Sequence, residues 1–291
     1  FSTPHVPPFD GLEHFDGRVL HAHDFRNAAS FRELDVLVVG ASYSAEDIGL
    51  QCRKFGARSV TFSYRTAPMA FKWPDGMCER PLLRRVDGAT RTAHFADGSS
   101  AHVDAIILCT GYRHHFPFLD EPLRLRTRNR LYPPQLWRGV LMHTCPRLFY
   151  VGMQDQYYTF SMFDYQAFFV RDVIVGRVAV PHADVRERDT RQWVCREEAL
   201  GGDEEQIDFQ ADYMALLEAA VRDAPRVNID ATRRIFKRWE QHKHDDVLTY
   251  RDHSFASTVT GTTSPPPAVP WWRAFDDTVA SFVANGGCGG S

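Results

Sequence analysis

The chain has 291 residues, 44% of them hydrophobic and 24% charged, with a formal net charge of −3. This composition belongs to a folded globular chain of roughly two domains, at about 150 residues each, and excludes a disordered one. The near balance of charge excludes a broad basic footprint for nucleic acid, and no apolar run approaches the ~18 residues of a membrane-spanning helix.

In chain order, Phe1–Asp10 is proline-rich and reads as an extended linker. An apolar strand is expected over Phe31–Val39. The run Gly40-Ala41-Ser42-Tyr43-Ser44-Ala45 then opens a helix to about Phe55, stopped by Gly56. A second strand over Ser59–Tyr64 completes a βαβ start. Arg65–Arg85, punctuated by Pro68, Pro74 and Pro81, reads as irregular, and Thr92–Val103 as a hairpin turning at Asp97-Gly98. Asp104–Cys109 is a buried strand left through the turn Thr110-Gly111-Tyr112. Further on, Leu148–Met153 reads as a short buried strand, Phe163–Val175 as an apolar helix, and Glu197–Asp212 as an acidic, solvated surface segment. Arg233–His244 is a polar helix carrying Phe236 and Trp239. Ser264–Pro270 is extended, and Gly286–Ser291 is a small-residue coil.

Cysteines stand at 52, 78, 109, 145, 195 and 288, with no CxxC pair. Neither a zinc site nor a dithiol redox pair is written in that spacing, and free thiols in a reducing cytoplasm are expected. His21 and His23, His114 and His115, and His242 and His244 lack a third ligand in view; packed or backbone-bonded histidines are the simpler reading, with no metal.

The segment Val38-Val39-Gly40-x-Ser42-x-x-Ala45 sits between a strand and a helix, where a dinucleotide loop belongs. The first small residue permits the tight turn, the second lets backbone approach a pyrophosphate, and the third lets helix and strand pack closely. The N–H groups of the helix N-terminus then face the phosphates. Because Ser42 and Ala45 replace glycines, a plain tight turn stays open as an alternative. An NAD site places a carboxylate about 20 residues on, to hold the ribose 2′-hydroxyl. No carboxylate occurs from Ser59 to Pro68; Arg65 and Thr66 stand there instead. A guanidinium matches a 2′-phosphate bidentately, which favours NADPH, the alternative being a plain surface charge. Gly40-x-Ser42 also resembles the start of a hydrolase nucleophile elbow, but position 44 is Ser where that strained turn needs Gly.

Upstream, Phe15-Asp16-Gly17-Arg18-Val19-Leu20-His21-Ala22-His23-Asp24-Phe25 matches the FxGxxxHxxx(Y/F) fingerprint of flavin-containing monooxygenases. Leu108-Cys109-Thr110-Gly111-Tyr112 resembles that family's second motif, (A/C)TGY. Tyr64-Arg65-Thr66-Ala67-Pro68, Gly152-Met153-Gln154-Asp155-Gln156, Phe163–Val175 and Tyr250-Arg251-Asp252-His253-Ser254 add to the likeness, which runs to about Val283. Within the family the chain is most similar to bacterial enzymes that oxidise small tertiary amines such as trimethylamine.

The resemblance implies an α/β fold, with a Rossmann-like NADPH-binding domain inserted in the C-terminal part of a flavoprotein built on two dinucleotide-binding domains. Residues 1–6 would end the first FAD half-domain, 7–117 would form the NADPH domain, 118–283 the C-terminal part of the FAD domain, and 284–291 a flexible tail. The family's first flavin-binding glycine loop does not precede Phe15, so the chain is expected to be a fragment lacking the first flavin half. The implied cofactors are FAD and NADPH. The implied reaction is N-oxidation of a small tertiary amine by O2 through a flavin C4a-hydroperoxide. The implied setting is a cytoplasmic enzyme, a homodimer, with no nucleic-acid or membrane partner. Two alternatives stay open: a catalytically silent NADPH-binding fragment, and a flavin N- or S-monooxygenase of another substrate class.

By the same resemblance, Gly40, Ser42, Tyr43, Ser44 and Ala45 would hold NADPH together with Arg65, Thr66 and Arg251. Tyr43 would lie near the nicotinamide as the catalytic residue. Gln156 and Thr159 would contact FAD. Tyr157, where the family pattern has Trp, and Trp239 would wall a pocket for the amine by ring-face attraction to a cation. The structural alternatives are an exposed turn tyrosine at 43, a buried loop amide at 156, an ion-paired Arg251 and a core tryptophan at 239.

Overall fold

The computed structural model describes residues 3–127, 129–155 and 157–263. The chain divides into two compact units: one holds Pro4–Gly111 and Lys243–His253, the other Tyr112–His242 and residues 254–263.

The first unit has eight strands: β1 (Arg18–His21), β2 (Asp35–Val39), β3 (Ser59–Ser63), β4 (Met77–Arg80), β5 (Leu83–Asp87), β6 (Thr92–Phe95), β7 (Ser100–His102) and β8 (Ala105–Leu108). Five of them form a wholly parallel sheet in the order β1-β8-β2-β3-β4. Parallel strands are covered on both faces, and this is why Val36–Val39 and Ala105–Leu108 are continuous apolar runs rather than alternating ones. Helix α1 (Tyr43–Lys54) packs on β2 and β3. A Cβ at Gly49 of α1 would stand 2.3 Å from the buried ring of Phe62 on β3, so helix and strand approach too closely for any side chain there. The antiparallel meander β5-β6-β7 supplies Leu83, Val86, Ala93 and Phe95 to a shared core with Leu37, Val39, Ile106 and Leu108 of the central strands.

The expected βαβ start and the hairpin are present with shorter strands. β2 begins at Asp35 because Ala29–Phe31 forms a 3-10 turn before it. Arg65–Arg85 is not irregular throughout: its second half carries β4 and the start of β5, and Pro81 falls in the gap between them, where a missing N–H costs no ladder bond.

The second unit is mainly helical and carries the short antiparallel pair β9 (Leu136–Trp137) and β10 (Leu141–Met142). Its helices are α2 (Thr159–Ile174), α3 (Ala183–Glu198), α4 (Asp203–Ala220) and the part of α5 (Ile229–Asp245) up to His242. An aromatic cluster centres the core: Trp193 of α3 stacks on Tyr132 at 5.6 Å between ring centroids and meets Phe209 of α4 edge-on at 5.2 Å. Two sequence expectations fail here. Leu148–Met153 is not a strand; only Phe149 makes a bridge, to Leu141. Glu197–Asp212 is not simply a solvated face, since α4 begins within it and buries Ile207, Phe209, Gln210 and Ala211. The first turn of α4, Asp203-Glu204-Glu205, is exposed, where negative charge is favoured by the helix dipole. The extended and coil segments expected at 264–270 and 286–291 lie outside the described residues. Among the described residues no helix is long and apolar enough to cross a membrane, and the cysteines are unpaired.

A buried carboxylate ties α2 to the chain leaving α4. Asp172 accepts from Arg171 Nε at 2.8 Å, from the Arg222 backbone N–H at 2.9 Å and from Arg177 Nη1 at 3.3 Å. The Arg171 hydrogen bond and then the Arg222 N–H hold its carboxyl down from 3.8 to about 2. A carboxyl depressed in the folded state stabilises above its unfolded value and loses that contribution as pH falls through the folded one. Unfolding measured by denaturant between pH 5 and pH 2 should therefore show a loss of stability that begins near pH 4. Asp172→Asn should lower stability at neutral pH and flatten that acid limb.

Candidate functional site

Gly40 leaves β2 with φ 144°, donates its N–H to Ser63 O at 3.0 Å, and lies against the end of β8, where Cys109 N–H reaches Val39 O at 2.8 Å. A Cβ at position 40 would be 2.4 Å from the Cys109 carbonyl oxygen. The turn is thus closed by a backbone approach that only glycine permits. Burial pushes the Cys109 thiol up to about 12, which keeps it protonated at neutral pH. Ser42 adopts extended backbone as the N-cap of α1, and its carbonyl accepts from Ala45 N–H at 2.8 Å and Glu46 N–H at 3.1 Å. No side chain caps this end, and Ser42, Tyr43 and Ser44 are exposed. Ala45 is fully buried and serves helix–strand packing.

Arg65 and Thr66 follow β3, are exposed, and stand two and three residues beyond Ser63, the register partner of Val39. The structure therefore gathers Gly40, Ser42, Tyr43, Ser44, Arg65 and Thr66 at the carboxyl edge of the parallel sheet. The Thr110-Gly111 turn leaves the same edge from β8, its hydroxyl bonded to His5 O and its Gly111 carbonyl accepting from His5 N–H at 2.9 Å. Open parallel sheets bind ligands at this edge, where strand order reverses direction; here β2 leads to β3 on one side while β8 lies on the other.

Arg251 is ion-paired. Its Nη2 donates to Asp47 Oδ1 at 2.6 Å and its Nε to the Tyr250 hydroxyl at 2.7 Å. Tyr250 donates in turn to Glu46 Oε1 at 2.6 Å, and Lys243 Nζ lies 2.8 Å from Glu46 Oε2. Burial pushes the Asp47 carboxyl upward against the pull of Arg251, and burial pushes the Tyr250 hydroxyl upward. Glu46, Lys243 and Tyr250 were not singled out by sequence reasoning. Glu46, an acidic residue on the inward face of α1, was the available signal.

Of the two residues expected to contact FAD, Gln156 lies outside the described residues. Thr159 opens α2 with φ 27°, an uncommon conformation for a β-branched residue. The loop before it is held by buried amides that sequence reasoning also missed. Gly152 N–H donates to Gln166 Oε1 at 2.8 Å and Tyr157 N–H to Gln210 Oε1 at 2.7 Å. Gln166 Nε2 donates to Gln154 Oε1 at 2.9 Å and to the Tyr213 hydroxyl at 3.1 Å, and that hydroxyl donates to Arg138 O at 2.8 Å. A glutamine on the buried face of each of two apolar helices is the legible clue. The Tyr157 hydroxyl, pushed upward by burial, donates to Asp203 Oδ1 at 3.1 Å; its ring meets Phe236 of α5 edge-on at 6.3 Å. Trp239 is half-buried three residues further along α5.

His21 is backbone-bonded, its Nδ1 accepting from His23 N–H at 3.0 Å, and burial lowers its pKa. Asp35, His102 and Asp104 lie close enough together to ligate a cation. Arg58 already pairs with both carboxylates and Arg91 Nη1 lies 3.6 Å from Asp104, so the cluster is neutralised by guanidinium groups.

A parallel sheet with a glycine turn closed by backbone and an uncapped helix N-terminus at its carboxyl edge is an α/β unit of Rossmann-like fold. The chain belongs to the flavin-binding monooxygenase-like family, whose model matches residues 1–72 and 82–228. It is 49% identical over 283 residues to the trimethylamine monooxygenase of Pelagibacter sp. strain HTCC7211, covering 97% of this chain and 63% of that protein. The trimethylamine monooxygenase of Methylocella silvestris is 51% identical over 282 residues, with 97% and 62% covered. The crystal structure of Tmm from the same Pelagibacter strain superimposes with a TM-score of 0.90 over 97% of this chain and 63% of that one. The S-allyl-L-cysteine S-oxygenase of Allium sativum, 24% identical with a TM-score of 0.68, shares the fold. The chain thus spans less than two thirds of the length of these trimethylamine monooxygenases. Family and α/β fold agree with the expectation from the sequence fingerprints.

The Gly40 geometry makes a direct prediction. Gly40→Ala places a methyl group against the Cys109 carbonyl in a backbone region L-residues avoid. It should cost about 1–3 kcal/mol or more of stability, read as a lower urea midpoint at unchanged slope.

Proposed function

We propose that the chain is part of an NADPH- and O2-dependent flavin monooxygenase that oxidises a small tertiary amine, trimethylamine first among them, to its N-oxide. The observation that carries this reading is the meeting of the Gly40–Ala45 loop and Arg65 at one sheet edge. The near-half identity to trimethylamine monooxygenases supports the substrate class.

The residues present fit NADPH. The absence of a side chain at Gly40 lets the loop turn tightly, and the uncapped N–H groups of α1 are donors for a pyrophosphate. Ser42 and Ser44 add hydroxyls, and Arg65 with Thr66 would take the 2′-phosphate. Arg251, held by Asp47 beside the first turns of α1, would reach the NADPH from the C-terminal segment. Tyr43 would cover the nicotinamide side against water. Toward FAD the chain would offer Gln156 and Thr159, and toward the amine the rings of Tyr157 and Trp239. When bound, NADPH supplies a hydride and FAD the site of O2 activation; the protein's task is to orient both and exclude water. A cytoplasmic homodimer belongs to the same reading.

The test is NADPH oxidation by the purified full-length protein with and without trimethylamine, with N-oxide measured directly. Amine-dependent oxidation with N-oxide formed supports the reading; NADPH binding without turnover overturns it in favour of a silent nucleotide-binding chain. Arg65→Ala should weaken NADPH by about 10- to 100-fold, the loss of a charge-assisted phosphate contact of about 1.5–3 kcal/mol, and leave NADH almost unchanged. Equal loss with both nucleotides would remove the 2′-phosphate role.

A further inference from the structure

Lys243 is the most enclosed cation of the first unit. Its side chain is 8% exposed and its ammonium lies 2.8 Å from Glu46 Oε2, a carboxylate that is itself 1% exposed. The same ammonium sits over three ring faces: Tyr43 at 4.1 Å from the centroid, Phe71 at 5.0 Å and Tyr250 at 5.9 Å. Tyr250 is fixed from its other end, its hydroxyl donating to Glu46 and accepting from Arg251. Of the three rings only Tyr43 belongs to the Gly40–Ala45 loop, and it is partly exposed. A desolvated cation lies under its face, in the setting where ring–cation attraction is strongest.

We infer that Lys243 is a positioning residue: pinned by Glu46, its ammonium holds the Tyr43 ring in one orientation at the start of α1. The step from ring orientation to nucleotide rests on the proposed function. Glu46 and Tyr43 lie three residues apart on one helix, so their side chains share a face. Lys243 reaches both from a segment nearly two hundred residues away. The arrangement converts docking of that segment into a fixed loop side chain. Phe71 closes the box from the strand-to-strand connection after β3, edge-on to Trp73 at 5.4 Å.

Two measurements on the full-length protein test this. The first is free of any nucleotide. With 13Cζ-labelled tyrosine, the Tyr43 resonance, assigned by its loss in Tyr43→Leu, should be single and sharp. It should shift and broaden in Lys243→Met. A resonance untouched by Lys243→Met overturns the inference, whether or not the protein binds NADPH. The second is a double-mutant cycle on the NADPH dissociation constant and on the split between KM and kcat. Lys243→Met should raise the dissociation constant and the KM for NADPH about 5- to 10-fold while changing kcat less than twofold. Tyr43→Leu combined with Lys243→Met should be no weaker in NADPH binding than Tyr43→Leu alone. Independent, multiplying effects overturn the inference. Glu46→Gln/Lys243→Met removes both charges together and guards against misfolding from an orphaned carboxylate; it should show the same tyrosine broadening, and a sharp wild-type resonance in it overturns the inference. If wild-type protein binds no NADPH, the proposed function falls while the tyrosine resonance still decides the role of Lys243.

Discussion

The carbonyl oxygen of Cys109 occupies the space in which a side chain at position 40 would begin, 2.4 Å from where its Cβ would stand. β2 and β8 are parallel neighbours in register, Val39 opposite Leu108, so both chains leave the sheet through the same edge at the same level. One must turn under the other. Gly40 does so with φ 144°, and the Cys109 N–H and the Ser63 carbonyl close around it. The direction of α1 follows from that turn. So does the exposure of Ser42, Tyr43 and Ser44, since a helix launched from the carboxyl edge presents its unpaired N–H groups there. Gly49 completes the constraint nearly two turns into the helix by letting α1 lie against Phe62.

A helix fixed at its first turn still needs a reason to keep a glutamate on its buried face. Removing a carboxylate from water costs several kcal/mol unless charge and hydrogen bonds replace the solvent. Glu46 receives both: the Lys243 ammonium on one oxygen and the Tyr250 hydroxyl on the other. Replacing such a group with apolar residues is often neutral for stability, whereas removing one partner is not. The value of the cluster is therefore selectivity of docking. Only a segment carrying Lys243, Tyr250 and Arg251 at these spacings satisfies Glu46 and Asp47 together.

What could be read from the sequence divides along the distance between partners. The β2–Gly40–α1–β3 stretch is a local pattern of apolar run, small residue and helix, and its bounds came within a few residues. The place of Arg65 just beyond β3 was legible because it depends on a count from Gly40. The strands β4 and β5 were hidden among Pro74 and Pro81, which read as breakers although they only punctuate. α4 was obscured by Asp203-Glu204-Glu205, whose charge belongs to a helix N-terminus while Ile207 and Phe209 turn inward a turn later. α3 passed unnoticed because Arg and Glu dominate its surface and its buried positions are few: Arg186, Thr190 and Trp193. Lys243 could not be paired with Glu46 by any spacing rule, because nothing local specifies a contact between residues so far apart.

The loop before α2 and the start of α1 are held by different chemistry, and the difference has a physical consequence. The loop 152–155 and Tyr157 hang on neutral donors and acceptors, the amides of Gln154, Gln166 and Gln210 with the Tyr213 hydroxyl. Their hydrogen bonds do not titrate over the range in which a carboxylate or an imidazole would. The start of α1 hangs on formal charges, Glu46 and Asp47 against Lys243 and Arg251, which act over longer range but lose their fit if any one is neutralised. A neutral network suits a loop whose geometry must stay fixed. A charged one suits the docking of a segment distant in sequence, because each cation must meet its own carboxylate for the buried charges to be offset. The ion pairs at the start of α1 thus act through geometry rather than through a net field: Glu46 and Asp47 offset Lys243 and Arg251, and what Lys243 governs is the placement of the rings around it.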